Sequence, residues 1–178
     1  MKAVIVFLFT GLVVVALAAQ TVPAPPVSSA AQGAAPAASG QAFEGTWSAT
    51  GQRQTLPTED GDLAVTVQLS GAVAITTGAG LSRGFRGEVI GFDDGAGLVA
   101  GRVVWTDERG DRIFSALNGE GLAAAGRQMR GTIVGGTGRY AGMTGEYEFR
   151  WHYLIAAEGS VNGRAVDLRG RVRLGGGR

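Results

Sequence analysis

GGTGRYAGMTGEYEFRWHY, residues 135–153, is the stretch that decides the fold. Its first part, Gly135 to Gly145, is rich in glycine, as are loops that cradle a phosphate group when a helix follows them. The residues that follow it, 146–153, instead alternate strictly between charged or polar side chains and aromatic ones. A period of two is typical of a β-strand, and the lysine of a phosphate-binding loop is absent. The segment is therefore predicted to be a tight turn between two strands that binds no nucleotide.

The same period of two recurs through the rest of the chain, and no stretch keeps an apolar helical face over three turns. Residues 164–174 are the clearest case, with Val166, Leu168, Val172 and Leu174 predicted on one side and arginines on the other. This pattern predicts eight strands, at about 43–50, 62–77, 84–93, 97–107, 111–120, 127–135, 143–157 and 164–174.

Turn signals separate these strands. They are Asp60-Gly61, Asp94-Gly95, Arg109-Gly110-Asp111 and Asn162-Gly163, and Asn-Gly and Asp-Gly suit the positive φ angles of short hairpins. Strands joined by hairpins form an antiparallel meander, and eight of them can close into a barrel that leaves no exposed edge. The fold class predicted from the sequence is thus all-β, an eight-stranded antiparallel closed β-barrel.

The N-terminus is predicted to direct export. Residues 1–19 combine Lys2, an apolar run and an Ala-x-Ala pattern at residues 16–18, as in a cleaved signal peptide. An uncleaved anchor helix is the alternative, because the apolar run is nearly long enough to span a bilayer. Residues 20–42 are dominated by Ala, Pro, Ser and Gly and are predicted to be a disordered linker. The domain 43–178 would then be secreted or periplasmic, with no membrane contact after cleavage.

Composition excludes several classes of site. Cysteine is absent and His152 is the single histidine, so thiol catalysis, cysteine-bound metals and paired imidazoles are ruled out. Beyond residue 40 the chain carries 15 Arg, 15 acidic residues and no Lys, a balance that offers no electrostatic footprint for nucleic acid. The arginines at 164, 169, 171 and 173 are interpreted as a solvated outer face. We expect no metal, cofactor or nucleic-acid partner, while a homo-oligomer is compatible with the sequence.

Two motifs resemble a known group of barrels. The segment 135–145, preceded by Gly131-Thr132-Ile133-Val134, resembles the hallmark turn of the allene oxide cyclase and dirigent-like barrel proteins. The upstream stretch 105–114, WTDERGDRIF, is similar to a pattern in their bacterial secreted members. Gly45-Thr46-Trp47 also resembles the Gly-x-Trp of lipocalins, where a tryptophan closes one end of the barrel. The resemblance implies an eight-stranded barrel of calycin-like type with a largely apolar interior, and no catalytic residue carries over from it.

The candidate ligand-binding residues are the aromatic side chains of the strand that follows the glycine segment: Tyr147, Phe149, Trp151 and Tyr153. Aromatic walls bind apolar molecules, and tyrosine adds a hydroxyl group that can orient them. The competing interpretation is core filling, because eight strands enclose a space barely wider than their own side chains need.

Few side chains offer acid or base chemistry. His152 shares its face with charged residues and is predicted to lie outside, while the acids near residues 93 and 107 fit hairpin turns better than a calcium loop. Arg102 and Glu120 are the two groups that would be checked first for a place in the lumen.

The function expected from the sequence is non-catalytic binding of a small hydrophobic or aromatic ligand by an exported barrel. An isomerase or cyclase acting on a lipid or phenolic substrate is one alternative, and a structural protein of the cell envelope is another.

Overall fold

The chain folds into a closed barrel of eight antiparallel strands, each hydrogen-bonded to the next, with β8 returning to β1. The computed structural model describes residues 40–78, 80–121, 125–157 and 159–175. The predicted signal peptide and most of the predicted linker lie outside these residues. The strands are β1 (Gln41–Pro57), β2 (Leu63–Gly78), β3 (Gly84–Asp93), β4 (Val99–Asp107), β5 (Arg112–Gly119), β6 (Arg127–Gly136), β7 (Thr144–Ala157) and β8 (Ser160–Arg173).

Alternation along each strand builds the core. In β3, for example, Phe85, Val89 and Asp93 are buried, whereas Arg86, Ile90 and Phe92 face outward. The interior is filled by aliphatic and aromatic side chains from all eight strands. Among the described residues no helix is long and apolar enough to cross a membrane.

The two ends of the barrel differ, and each is named after a feature described below. One end has a cluster of hydrogen-bonded charged side chains, the latch, and the other has a small cavity. The latch end carries the connections at 78–84, 107–112 and 136–144, together with the start of β1 and the end of β8. The cavity end carries the connections at 57–63, 93–99, 119–127 and 157–160. Gly61, Gly95 and Gly110 have φ angles of 85°, 78° and 85°, which confirms three of the four predicted hairpin turns.

The fourth predicted turn, Asn162-Gly163, is wrong. Both residues lie inside β8, and the connection from β7 comes earlier, at residues 157–160. Gly163 is a glycine because of its neighbour: a Cβ placed on it would come within 2.5 Å of Cζ2 of Trp151. The glycine that sequence patterns associate with a turn therefore makes room for an indole ring.

The parity predicted for the last strand is also wrong in part. Leu168 and Val172 are buried, but Val166 is half-buried and Ala165 occupies the interior position instead. Asp167 has a φ of 55°, and the pairing of β7 with β8 shifts register beside it. This β-bulge inserts one residue and reverses the inward and outward alternation. Leu174 lies beyond the end of β8 and is exposed.

Candidate functional site

All four candidate ligand residues project from the inner face of β7. Tyr147, Phe149 and Trp151 are buried, and Tyr153, nearest the cavity end, is half-buried. The residues between them point the other way, so His152 lies on the outer face, half-buried beside Gly126. Alternation in the sequence thus placed the aromatic side of this strand correctly.

These rings belong to a continuous aromatic column that runs from one end of the barrel to the other. Trp47 bridges Trp151 and Phe149, with ring centroids 5.5 and 5.9 Å away. Tyr147 and Trp105 continue the column at 4.9 Å. The terminal contacts are Trp151–Tyr153 at 6.2 Å and Phe85–Tyr140 at 5.8 Å. Edge-to-face and tilted contacts at such distances stabilise an apolar core beyond the effect of burial alone.

A small cavity remains at the cavity end, beside Trp47, Phe149, Trp151 and Tyr153. Its volume is about 20 Å³, enough for a single water molecule. Ligand sites usually measure roughly 300–1,000 Å³, so an organic molecule can enter this space only when a side chain moves. Tyr153 is the ring in the cavity wall that is best placed to move, because it alone is half-buried.

Two of the aromatic residues that line this cavity have indole nitrogens without a hydrogen-bond partner in the part of the chain that the structure describes. The indole nitrogens of Trp47 and Trp151 are buried and have no hydrogen-bond partner among the described residues. The indole nitrogen of Trp105, deeper in the barrel, shares this property. A Cβ placed on Gly87, which does not line the cavity, would come within 2.9 Å of the Trp47 nitrogen, so this nitrogen faces β3. Most buried polar groups in folded proteins are paired, so these unpaired nitrogens are exceptions within the core.

Three polar side chains stand on the inner face at the cavity end: Arg53 of β1, Asp93 of β3 and Tyr153 of β7. The Arg53 guanidinium lies 5.8 Å from the ring centroid of Tyr153. Asp93 is only 4% exposed and accepts a hydrogen bond from the Gly95 amide at 2.9 Å. Burial raises the pKa of Tyr153; Arg53 opposes this rise and Asp93 adds to it.

Sequence reasoning missed this polar cluster and named two other residues instead. Arg102 and Glu120 are both exposed on the outside of the barrel, so neither is a lumenal acid or base. Arg53 was missed because β1 was predicted to end at residue 50, whereas it continues to Pro57. The signal was present: Trp47, Ala49, Gly51 and Arg53 keep one parity along the strand.

The glycine segment lies at the opposite end and closes it. Residues 138–140 form one turn of 3₁₀-helix that inserts Tyr140 into the core, where it is fully buried. The Tyr140 hydroxyl accepts a hydrogen bond from the Ser82 amide at 3.2 Å. The segment is thus a connection between two strands, as predicted, and it also supplies the side chain that fills the latch end.

Hydrogen bonds and ion pairs hold the glycine segment against the end of the barrel. We call the residues that form them the latch: Ser82, Asp107, Glu108, Arg139 and Tyr140. Arg139 donates to Asp107 through Nε at 2.8 Å and also through Nη2, and Nη2 reaches Glu108 at 3.1 Å. Ser82 donates its hydroxyl to Glu108 at 2.5 Å. These bonds tie the connection that follows β6 to those that follow β2 and β4.

Asp107 is the centre of the latch, and its side chain is fully buried. Burial by itself raises the pKa of Asp107, but hydrogen bonds from the Arg109 amide, Arg139 and Tyr140 outweigh burial and lower the pKa overall. Asp107 also accepts from the Arg109 and Asp111 amides at 2.8 and 3.0 Å, which is the hairpin-turn role predicted for it. The hydrogen bond to Asp107 raises the pKa of Arg139, so this ion pair persists at neutral pH.

Within the described part of the chain no group of three or more His, Asp or Glu side chains could hold a metal ion. No family model, curated protein or solved structure matches this chain.

Proposed function

We propose that this protein is an exported β-barrel that binds one small apolar or aromatic molecule at its cavity end without changing it. The observation that carries the proposal is the apolar cavity beside the rings of Trp47, Phe149, Trp151 and Tyr153, with the half-buried Tyr153 at its outer side. The apolar body of the ligand would pack against Phe149 and Trp151. Its acceptor oxygen would bond to the unpartnered indole nitrogen of Trp151, whose ring contacts Tyr153, once Tyr153 has moved. Export rests on the signal-like residues 1–19.

The bound state requires Tyr153 to leave the cavity wall. The present space holds one water molecule, and the phenol ring of Tyr153 is much larger than that space. Tyr153 is half-buried, so it loses less packing on rotating outward than any other ring of the column. Binding would therefore follow the opening of a side-chain gate at the mouth of the barrel.

The motif resemblance to allene oxide cyclase and dirigent-like barrels agrees with a ligand in the lumen. It also keeps a second candidate function, an isomerase or cyclase, because such chemistry needs an ionisable group beside an apolar ligand. Arg53, Asp93 and Tyr153 supply groups of that kind at the mouth. A binding protein would release its ligand unaltered, whereas an enzyme would release a rearranged isomer of the same mass.

The test uses two probes of nearly equal shape, acetophenone and ethylbenzene, which differ in one acceptor oxygen. Thermal shifts and tryptophan fluorescence would be measured for the full chain and for the variants Tyr153→Ala and Trp151→Phe. We expect Tyr153→Ala to bind acetophenone more tightly than the wild type, and Trp151→Phe to lose the preference for acetophenone over ethylbenzene.

One result would refute the proposal. If saturating probe leaves the melting temperature of both the wild type and Tyr153→Ala unchanged, the aromatic column is only a core and the proposal fails. Leu81→Ala, at the latch end, is the matched control for truncation of a half-buried apolar side chain, and it should leave probe binding as in the wild type.

A further inference from the structure

The outer surface of β1 and β2 carries a patch of neutral hydrogen-bonding side chains. The outward positions, paired across the two strands, are Thr50 with Ser70, Gln52 with Gln68, and Gln54 with Thr66. None of these six side chains forms a hydrogen bond with another described residue. Six hydroxyl and amide groups are thus available to an external partner on a rigid sheet.

Each of these three pairs begins a row of outward side chains that continues across β3 and β4, where the side chains are mainly apolar or charged. The register extends them to Glu88 and Val104, to Ile90 and Arg102, and to Phe92 and Ala100. Ile90 is 66% exposed and Phe92 is 42% exposed, so apolar area lies directly beside the amides. We call the twelve outward positions of these three rows the β1–β4 face.

A groove of about 430 Å³ lies along this face, between the polar and apolar halves. Its wall includes Gln52, Gln68, Glu88, Ile90 and Arg102. This volume falls in the range of sites that bind small molecules. In contrast to the interior cavity, this groove needs no side chain to move before it can be filled.

The charges on the barrel indicate what kind of molecule fits. Outside the β1–β4 face, the outer surface of β6 to β8 is dense in charge, with Arg130, Glu146, Glu148, Arg150, Arg169 and Arg171. The twelve positions of the β1–β4 face include one acid, Glu88, and one base, Arg102. Glu88 is already paired at 2.7 Å with Arg86, the neighbouring outward residue of β3. A surface of nearly zero net charge offers no attraction to a polyanion or a polycation.

We propose that the β1–β4 face binds a neutral polysaccharide. A sugar ring has an apolar C–H surface, which would pack on Ile90 and Phe92, and hydroxyl groups, which would bond with the glutamine and threonine side chains. A chain of such units suits an open groove along the outer surface of the barrel. A second copy of this protein fits less well, because it would cover six hydroxyl and amide groups, whereas stable dimer interfaces are mostly apolar at their centre.

Co-sedimentation of the full chain with insoluble polysaccharides tests this proposal. The neutral probes are microcrystalline cellulose, curdlan and mannan, and carboxymethylcellulose beads are the anionic counterpart. We expect binding to at least one neutral probe and none to the anionic beads. The double variants Gln52→Ala/Gln68→Ala and Ile90→Ala/Phe92→Ala should each weaken binding roughly tenfold, since each removes two contacts.

Gln128→Ala is the matched control, since Gln128 lies on the outer side of β6 and points away from the groove. It should bind as the wild type does, and circular dichroism would verify that every variant is folded. Failure of the wild type to bind any neutral probe would overturn the proposal, as would equal binding to the anionic beads. A dimer in light scattering that Ile90→Ala/Phe92→Ala converts to a monomer would assign the face to self-association instead.

Discussion

The phenol ring of Tyr147 lies directly over Gly131, its partner across the β6–β7 pair: a Cβ placed on Gly131 would come within 2.1 Å of Cζ of Tyr147. The glycine creates the space that the ring fills. Because Tyr147 also contacts Trp105 and Phe149, the ring cannot shift without disturbing the column on both sides.

Gly131→Ala should therefore lower the free energy of unfolding by about 3 kcal/mol, the upper range for overpacking a tight core. Urea denaturation would measure it. Gly84→Ala is the control, because a Cβ there meets no atom within 4 Å. In a Tyr147→Leu background the cost of the Gly131→Ala substitution should largely disappear; an equal cost in both backgrounds would contradict the explanation.

A second prediction concerns the glycine segment. Gly138 has a φ of 52°, and a Cβ on it would come within 1.8 Å of Oδ1 of Asp111. Gly138→Val should destabilise the barrel by about 3 kcal/mol, since a β-branched residue is strained at this φ and clashes as well. Ala141→Val, on an exposed residue of the same connection, should change little. An unchanged melting temperature for Gly138→Val would show that the connection between β6 and β7 can adopt a different backbone conformation without loss of stability.

The latch predicts how the stability of the barrel changes at acidic pH. The folded-state pKa of Asp107 is depressed, so its contribution to stability is fully present above the usual Asp pKa of about 4 and is lost as the pH falls through the lower folded value. Asp107→Asn should cost about 2 kcal/mol at pH 7, where it leaves Arg139 without its main partner. The difference between the variant and the wild type should shrink as the pH falls below about 4 and Asp107 becomes protonated. A difference independent of pH would mean that shape, and not charge, is what Asp107 supplies.

Alkaline titration provides a fourth prediction. Burial raises the pKa of both Tyr140 and Tyr147 to about 12. A raised folded-state pKa means that stability is retained below the unfolded value of about 10 and is lost as the pH rises towards 12. At pH 10 the tyrosinate absorbance of the native protein should therefore be well below that of the denatured protein at the same pH, and adding denaturant should raise it at once. Full ionisation in the native protein at pH 10 would contradict burial of these hydroxyl groups.

Most of the barrel was predictable from the sequence, because strands buried on one face alternate visibly. Tyr147 to Tyr153 were assigned to one face by parity alone, and three Gly-containing turns were located by the φ angles that glycine permits. Parity is reliable only while a strand is regular. Asp167 adopts a left-handed conformation at a bulge, and the inward positions on either side of it then no longer share one parity.

The site was less predictable than the fold. Gly163 carries a turn signal but pairs with Tyr153 and lies against the indole ring of Trp151, a fact that becomes visible only when the two strands are paired. Arg53 and Asp93 meet near Tyr153 because three distant strands end at the same side of the barrel. The spacing of residues in the sequence does not show which ends of distant strands lie together. For that reason Arg102 and Glu120 were predicted instead of Arg53 and Asp93.

The pairing of β1 with β8 has a consequence for how the chain folds. Every other strand pair joins neighbours in sequence, but closure brings Trp47 beside Ala165. The long loop that this contact closes carries the largest entropic cost of any pair in the barrel, and such distant contacts slow folding. We expect the hairpins to form first and the β1–β8 seam to be the last step. A circular permutant that joins β8 to β1 and opens the turn at Asp60 would make that seam local, and it should fold faster than the natural chain.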